Sequence, residues 1–129
     1  MKMALRILVL LWAAFFAVLA MRGLIDPSVY RAQFGFPEMA GGAINTIRAD
    51  LSSFFIVASV AAAWGVLAAG RSSLLYIPAA LFGTALIGRG LGGVLGDGFG
   101  PMVTTSMAVE AVSVVLMVGA ARVLAARPH

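Results

Sequence analysis

The chain has 129 residues, 62% of them apolar and 11% charged, and its mean hydropathy is +1.04. A soluble domain carries about 25% charged residues, and a 13.3 kDa globule exposes too much surface to hide this apolar excess, so the solvent is lipid and a second domain is excluded by length. The net charge of +4 would suggest nucleic acid in a soluble protein, but the arginines stand singly at the ends of apolar runs, so no nucleic-acid partner is expected. With no cysteine, disulfides and thiol chemistry are also excluded, and with the single histidine at His129 no metal site and no cofactor is expected.

A helix needs about 20 residues to cross about 30 Å of hydrocarbon, and four segments in one domain, residues 1–129, qualify. The first runs from about Ala4 to Met21. Lys2 and Arg6 ahead of it, and Val18-Leu19-Ala20 near its end, give it the features of a secretory signal peptide; the expectation is that it is retained as a span. A connection from Arg22 to Gly42 follows. Asp26-Pro27-Ser28 reads as a helix stop and a cap, and Val29, Tyr30, Phe34 and Phe36 suggest a short interfacial helix or a cover over an outward pocket. Span two runs from about Ala43 to Ala69, span three from about Ser73 to Leu95, and span four from about Met102 to Leu124. Backbone groups cannot go unpaired in lipid, so all four are helices. The very short links Gly70–Ser72 and Gly96–Pro101 make antiparallel neighbours. The expected fold class is all-α, an integral membrane up-down four-helix bundle.

Orientation follows from basic residues in short loops. Lys2, Arg6, Arg71, Arg122 and Arg127 share one side, whereas Arg22 and Arg31 on the other are balanced by Asp26 and Glu38. Both termini are therefore expected in the cytoplasm.

A charge inside the bilayer is expensive unless paired or facing a cavity. Glu110 lies nine residues into span four, about 14 Å deep at about 1.5 Å per residue. Ser106, Glu110, Ser113 and Met117 share a helical face directed into the bundle. Arg89 falls in the outer half of span three, and Asn45, Arg48, Ser52 and Ser59 share a face of span two. Asp50 lies on the opposite face as an interfacial cap or a further pocket residue, and Asp97-Gly98 reads as a turn. The polar residues thus gather in the outer half as an outward-opening pocket, with Asn45, Arg48, Asp50, Ser52, Arg89, Ser106 and Glu110 as candidate ligand-binding residues. Gly88, Gly90, Gly92, Gly93 and Gly96 near Arg89 suit close helix packing or an irregular cavity-lining backbone. The phenylalanines read as ordinary packing and lipid contact.

The pattern Asn45-x-x-Arg48-Ala-Asp50, Arg89 closing span three, Asp97-Gly98, and Glu110 inside span four resembles the small bacterial four-span membrane proteins of domain-of-unknown-function family 4345. In that family the acid is commonly Glu followed by two glycines; here Asp50 precedes Leu51-Ser52-Ser53. The resemblance implies an architecture and the arginine–acid positions, with no activity attached.

Function divides into classes. In the first, the protein binds a membrane lipid or a small amphiphile, or is an accessory part of a homo-oligomer or a larger membrane complex. In the second it is an enzyme with Glu110 as general acid or base and Arg48 or Arg89 stabilising negative charge, as in an isomerase-like proton transfer. No zinc-protease, phosphate-loop or nucleophile-elbow motif is present to support it. A small proton-coupled exporter is the third class, disfavoured by the charge bias and by the acid's place in the last span.

Overall fold

The computed structural model describes residues 1–125, so the expectations placed on Arg127 and His129 lie outside the described residues. Within that range the chain is wholly helical. Helix α1, Lys2–Ile25, is broken at Asp26, whose extended backbone (φ −133°, ψ 99°) is what a following proline imposes. The Asp26 carboxylate then accepts the Ser28 backbone N–H at 3.0 Å, opening the short helix α2, Ser28–Phe34. Hydrogen bonding from the Ser28 hydroxyl and backbone holds the Asp26 carboxyl below its ordinary range, with Arg48 and Arg22 reinforcing the effect against a small contribution from burial. The stop at Asp26 is therefore present, but the expected side-chain cap is not: Ser28 is the first helical residue and Pro27 stands at the cap position with no side-chain bond. Helix α1 runs past the expected Met21 because nothing before that stop interrupts it.

Helix α3 spans Gly42–Leu67 and ends at Ala68. A single 3-10 turn, Ser72–Leu75, feeds α4, Tyr76–Gly92. Pro78 is tolerated because the first turn needs no N–H from it. After α4 the backbone widens through Gly93–Asp97, where Gly96 (φ 116°) takes a conformation closed to other residues. Helix α5, Pro101–Ala125, starts on a proline, the residue best suited to a first helical position. Four of these segments, Lys2–Ile25, Gly42–Leu67, Ser72–Asp97 and Pro101–Ala125, are long and apolar enough to cross a membrane.

Packing occurs at two levels. The lower one joins Val9 and Ala13 of α1, Ala62 and Val66 of α3, Leu75 and Ala79, and Met117, Ala120 and Ala121 of α5. The upper one joins Phe16 and Ala20 of α1, Phe55 and Ala58 of α3, Phe82 of α4 and Tyr30 of α2, with Val114 of α5 packed against them. From lower to upper level, numbers rise in α1 and α4 and fall in α3 and α5. Small residues dominate the lower level and rings the upper.

Helix α2 is docked on this ring layer. Tyr30 is fully buried, its hydroxyl shares a 2.7 Å hydrogen bond with Ser52, and its ring fills a notch where a Cβ on Gly23 would collide with it. Burial pushes the Tyr30 phenol up, and the bond to Ser52 opposes that. The core is apolar but includes Ser52, Ser59, Glu110 and Ser113, while Leu11, Phe15, Val57, Val60, Val112 and Val115 are exposed.

Candidate functional site

Glu110 and Arg89 meet inside the upper half. Glu110 is one helical turn beyond Ser106 on α5 and three residues before Ser113, the spacing that keeps all three on one face. That face is turned inward: Glu110 and Ser113 are buried and Ser106 is half-buried. Arg89 reaches from the last turns of α4 and donates its Nε–H to Glu110 Oε1 at 2.7 Å. The Glu110 side chain is only 8% exposed and that of Arg89 33%. The second oxygen, Oε2, is buried with no partner among the described residues. Ser113 accepts the Trp12 indole N–H at 2.8 Å and itself donates to the Val109 carbonyl, which ties α1 to α5 just below the pair.

The pair stands in the wall of a cavity of about 640 Å³ between α1, α3, α4 and α5. Seven of the chain's eight phenylalanines, all but Phe99, line it. Phe16 and Phe55 stack at 5.2 Å, and Phe34 and Phe55 at 6.1 Å. Gln33, Phe34 and Phe36 bring the end of α2 and the following segment to the cavity, and Thr105 and Ser106 add hydroxyls beside Glu110. The Thr105 hydroxyl is already committed to the Pro101 carbonyl at 2.7 Å, whereas that of Ser106 has no partner among the described residues. Among the described residues, Arg89 and Glu110 are the only ionisable ones in this wall. A second, smaller pocket of about 410 Å³ is lined by Ala85, Gly88, Arg89, Gly92, Gly93 and Asp97, among others, so Arg89 borders both.

Of the seven residues expected to form the site, the structure brings three to this cavity: Arg89, Ser106 and Glu110. Arg48 does not join them; its Nη1 donates to the Leu24 carbonyl at 2.9 Å and so caps the end of α1, whose last carbonyls have no intrahelical partner. Ser52 is committed to Tyr30, and Asn45 and Asp50 are exposed at the start of α3. The glycines near Arg89 act differently from a helix-packing seam. A Cβ on Gly93 would fall within the Phe99 ring and one on Gly92 would crowd Asp97, so both are covered by the turn that follows them, while nothing approaches Gly88. The phenylalanines are packing residues, as read: Phe16, Phe55 and Phe82 are core and Phe15 is exposed. That seven of them also border one cavity was not legible, since nothing local says which face of a helix turns inward.

No family model matches the chain, and neither a curated protein nor a solved structure does.

Proposed function

We propose that the protein is a four-span up-down bundle of a bacterial inner membrane, with both termini cytoplasmic, whose outer half binds a lipid or small amphiphile. The observation that carries this reading is the cavity: about 640 Å³ walled by seven phenylalanines, with one buried ion pair in its side. That volume falls in the range of about 300–1,000 Å³ typical of small-molecule sites, and a mostly apolar lining with few polar groups is their usual chemistry. An apolar chain among the rings and a polar head at Arg89, Ser106 and Glu110 would satisfy both parts of the wall.

Membrane insertion is supported by four long apolar helices, in each of which less than half of the most apolar stretch is buried within the chain. The alternating rise and fall of residue numbers through the two packing levels supports the up-down arrangement. The cavity sits at the end that holds α2 and the Gly93–Asp97 turn, away from Lys2, Arg6, Arg71 and Arg122, which the positive-inside rule assigns to the cytoplasm. Kinship with domain-of-unknown-function family 4345 is part of the same proposal and rests on the sequence pattern.

A second reading, membrane enzyme, draws on the unpartnered Oε2 of Glu110, which a proton-transfer step would need free. One experiment addresses both. The protein is purified in mild detergent and its bound small molecules are identified by native mass spectrometry, beside an Ala85→Phe variant that fills the cavity wall. A chain-bearing molecule retained by the unaltered protein and lost from the variant is the expected result. Identical profiles for the two proteins would overturn the binding proposal, and a converted product accumulating with the unaltered protein alone would favour the enzyme.

A further inference from the structure

We propose that the amphiphile this cavity accepts is uncharged, with a head that both donates and accepts a hydrogen bond: the long-chain alcohol class, in preference to fatty carboxylates. The inference rests on the amphiphile-site reading above and narrows it to a ligand class.

Charge balance comes first. Arg89 and Glu110 neutralise each other at 2.7 Å, and no other ionisable residue among those described lines the cavity. A carboxylate head would bring a second anion beside Glu110 with no second cation in the wall, in a site whose low polarity strengthens the repulsion. An ammonium head would meet the same obstacle at Arg89. A neutral head avoids both.

Hydrogen-bond capacity then separates neutral heads from one another. Glu110 spends Oε1 on Arg89, and Oε2 is left as an acceptor on a side chain more than nine-tenths buried. An ionised carboxylate can only accept, so what completes it is a donor. Arg89 spends Nε–H on Glu110, which leaves the donors on its two terminal nitrogens, and the Ser106 hydroxyl is uncommitted one turn from Glu110. Arg89, Ser106 and Glu110 therefore line the polar end of a phenylalanine-lined space together; Oε2 is closed to solvent there, so a ligand reaches it as the carboxylate turns toward the cavity. A hydroxyl uses donor and acceptor at once, donating to Oε2 and accepting from Arg89 or Ser106. An ether or ester of equal length can accept but leaves Oε2 as it was, and an alkane uses neither.

Trp12 provides the readout, because its ring lies 4.6 Å from Phe16 and 5.1 Å from Phe82, both in the cavity wall. In a Trp64→Phe background, with Trp12 as the remaining tryptophan, chains brominated at the far end report their arrival by quenching. Bromododecanol, bromododecanoate and bromododecane are compared at matched concentrations in the same micelles. The alcohol is expected to bind about tenfold more tightly than either of the others, the effect of one charge-assisted hydrogen bond. Glu110→Gln keeps the shape but leaves Arg89 as an unmatched cation, and the preference should move toward bromododecanoate by about tenfold. Ser106→Ala should weaken the alcohol a few-fold and leave bromododecane unchanged. Bromododecanoate binding best to the parent protein would overturn the inference while leaving the amphiphile site standing, and that ranking needs no variant to fold. An unchanged alcohol-to-carboxylate ratio in folded Glu110→Gln would overturn it equally. Quenching by none of the three chains would overturn the cavity reading and this inference with it.

Discussion

Arg89 and Glu110 face each other from α4 and α5, one 33% exposed and the other 8%, and that asymmetry decides how each should respond to mutation. Removing one partner of a buried pair strands the other and costs about 3–5 kcal/mol. Arg89→Ala leaves the more deeply buried carboxylate unmatched and should fall in that range. Glu110→Gln keeps a carbonyl oxygen for the Arg89 Nε–H, and the guanidinium can extend toward solvent along its flexible stem. Its cost should be nearer about 1 kcal/mol, the net value of a single hydrogen bond. Thermal unfolding of both variants in one detergent checks the order, and equal destabilisation would mean that the pair contributes little to the fold. At this scale the sequence was informative about identity, since an intramembrane acid needs a partner. It was uninformative about pairing. Arg48 and Arg89 were equally eligible, and the choice fell to Arg89 because the end of α1 offered Arg48 an unpaired carbonyl at Leu24.

The element whose placement matters most to the cavity is α2, seven residues long and held by a few contacts. Its anchor is Tyr30, buried against the Gly23 notch and bonded to Ser52. Tyr30→Phe leaves the fully buried Ser52 hydroxyl without that partner and should destabilise by about 1–3 kcal/mol. Adding Ser52→Ala removes the orphaned hydroxyl, so the double variant should recover part of the loss; chemical unfolding of the two singles and the double gives the coupling directly. Strict additivity would show the bond to be dispensable. A larger effect is expected from Gly23→Val, whose side chain occupies the Tyr30 ring position: α2 should detach, and trypsin should cut after Arg31 much faster than in the parent. Cleavage at the parental rate would mean that α2 is held by something other than this notch. The helix stop and the short helix were legible, because Asp26-Pro27-Ser28 and the aromatic residues after it are local signals. The notch was not, since a glycine at the twenty-second position of an apolar helix looks like any other small residue until a ring is seen lying against it.

For the whole molecule the distribution of basic residues predicts a direction. Lys2, Arg6, Arg71 and Arg122 lie at one end, while Arg22 and Arg31 at the other are accompanied by Asp26 and Glu38. Arg31 and Glu38 approach to 3.9 Å with both side chains exposed, a contact that stabilises little. Reporter fusions after the last residue and within α2 near Gln33 should therefore give opposite compartments, the C-terminal one cytoplasmic. The same compartment from both would exclude four spans.

The sequence by itself determined that the chain is helical, how many long apolar helices it has, and within a few residues where they stop. Those features follow from composition, from proline and glycine punctuation and from the length needed to span lipid, all of which act locally. It also singled out Glu110 and Arg89, because a charge in an apolar segment is conspicuous without any structure. Only the tertiary structure decided that these two pair, that Arg48 caps α1, and that seven phenylalanines scattered between positions 15 and 82 converge on one space. In the lipid setting proposed above, packing has no hydrophobic force to distinguish inward from outward rings. An apolar residue therefore carries no mark of the face it takes, and the cavity becomes visible only when the helices are assembled.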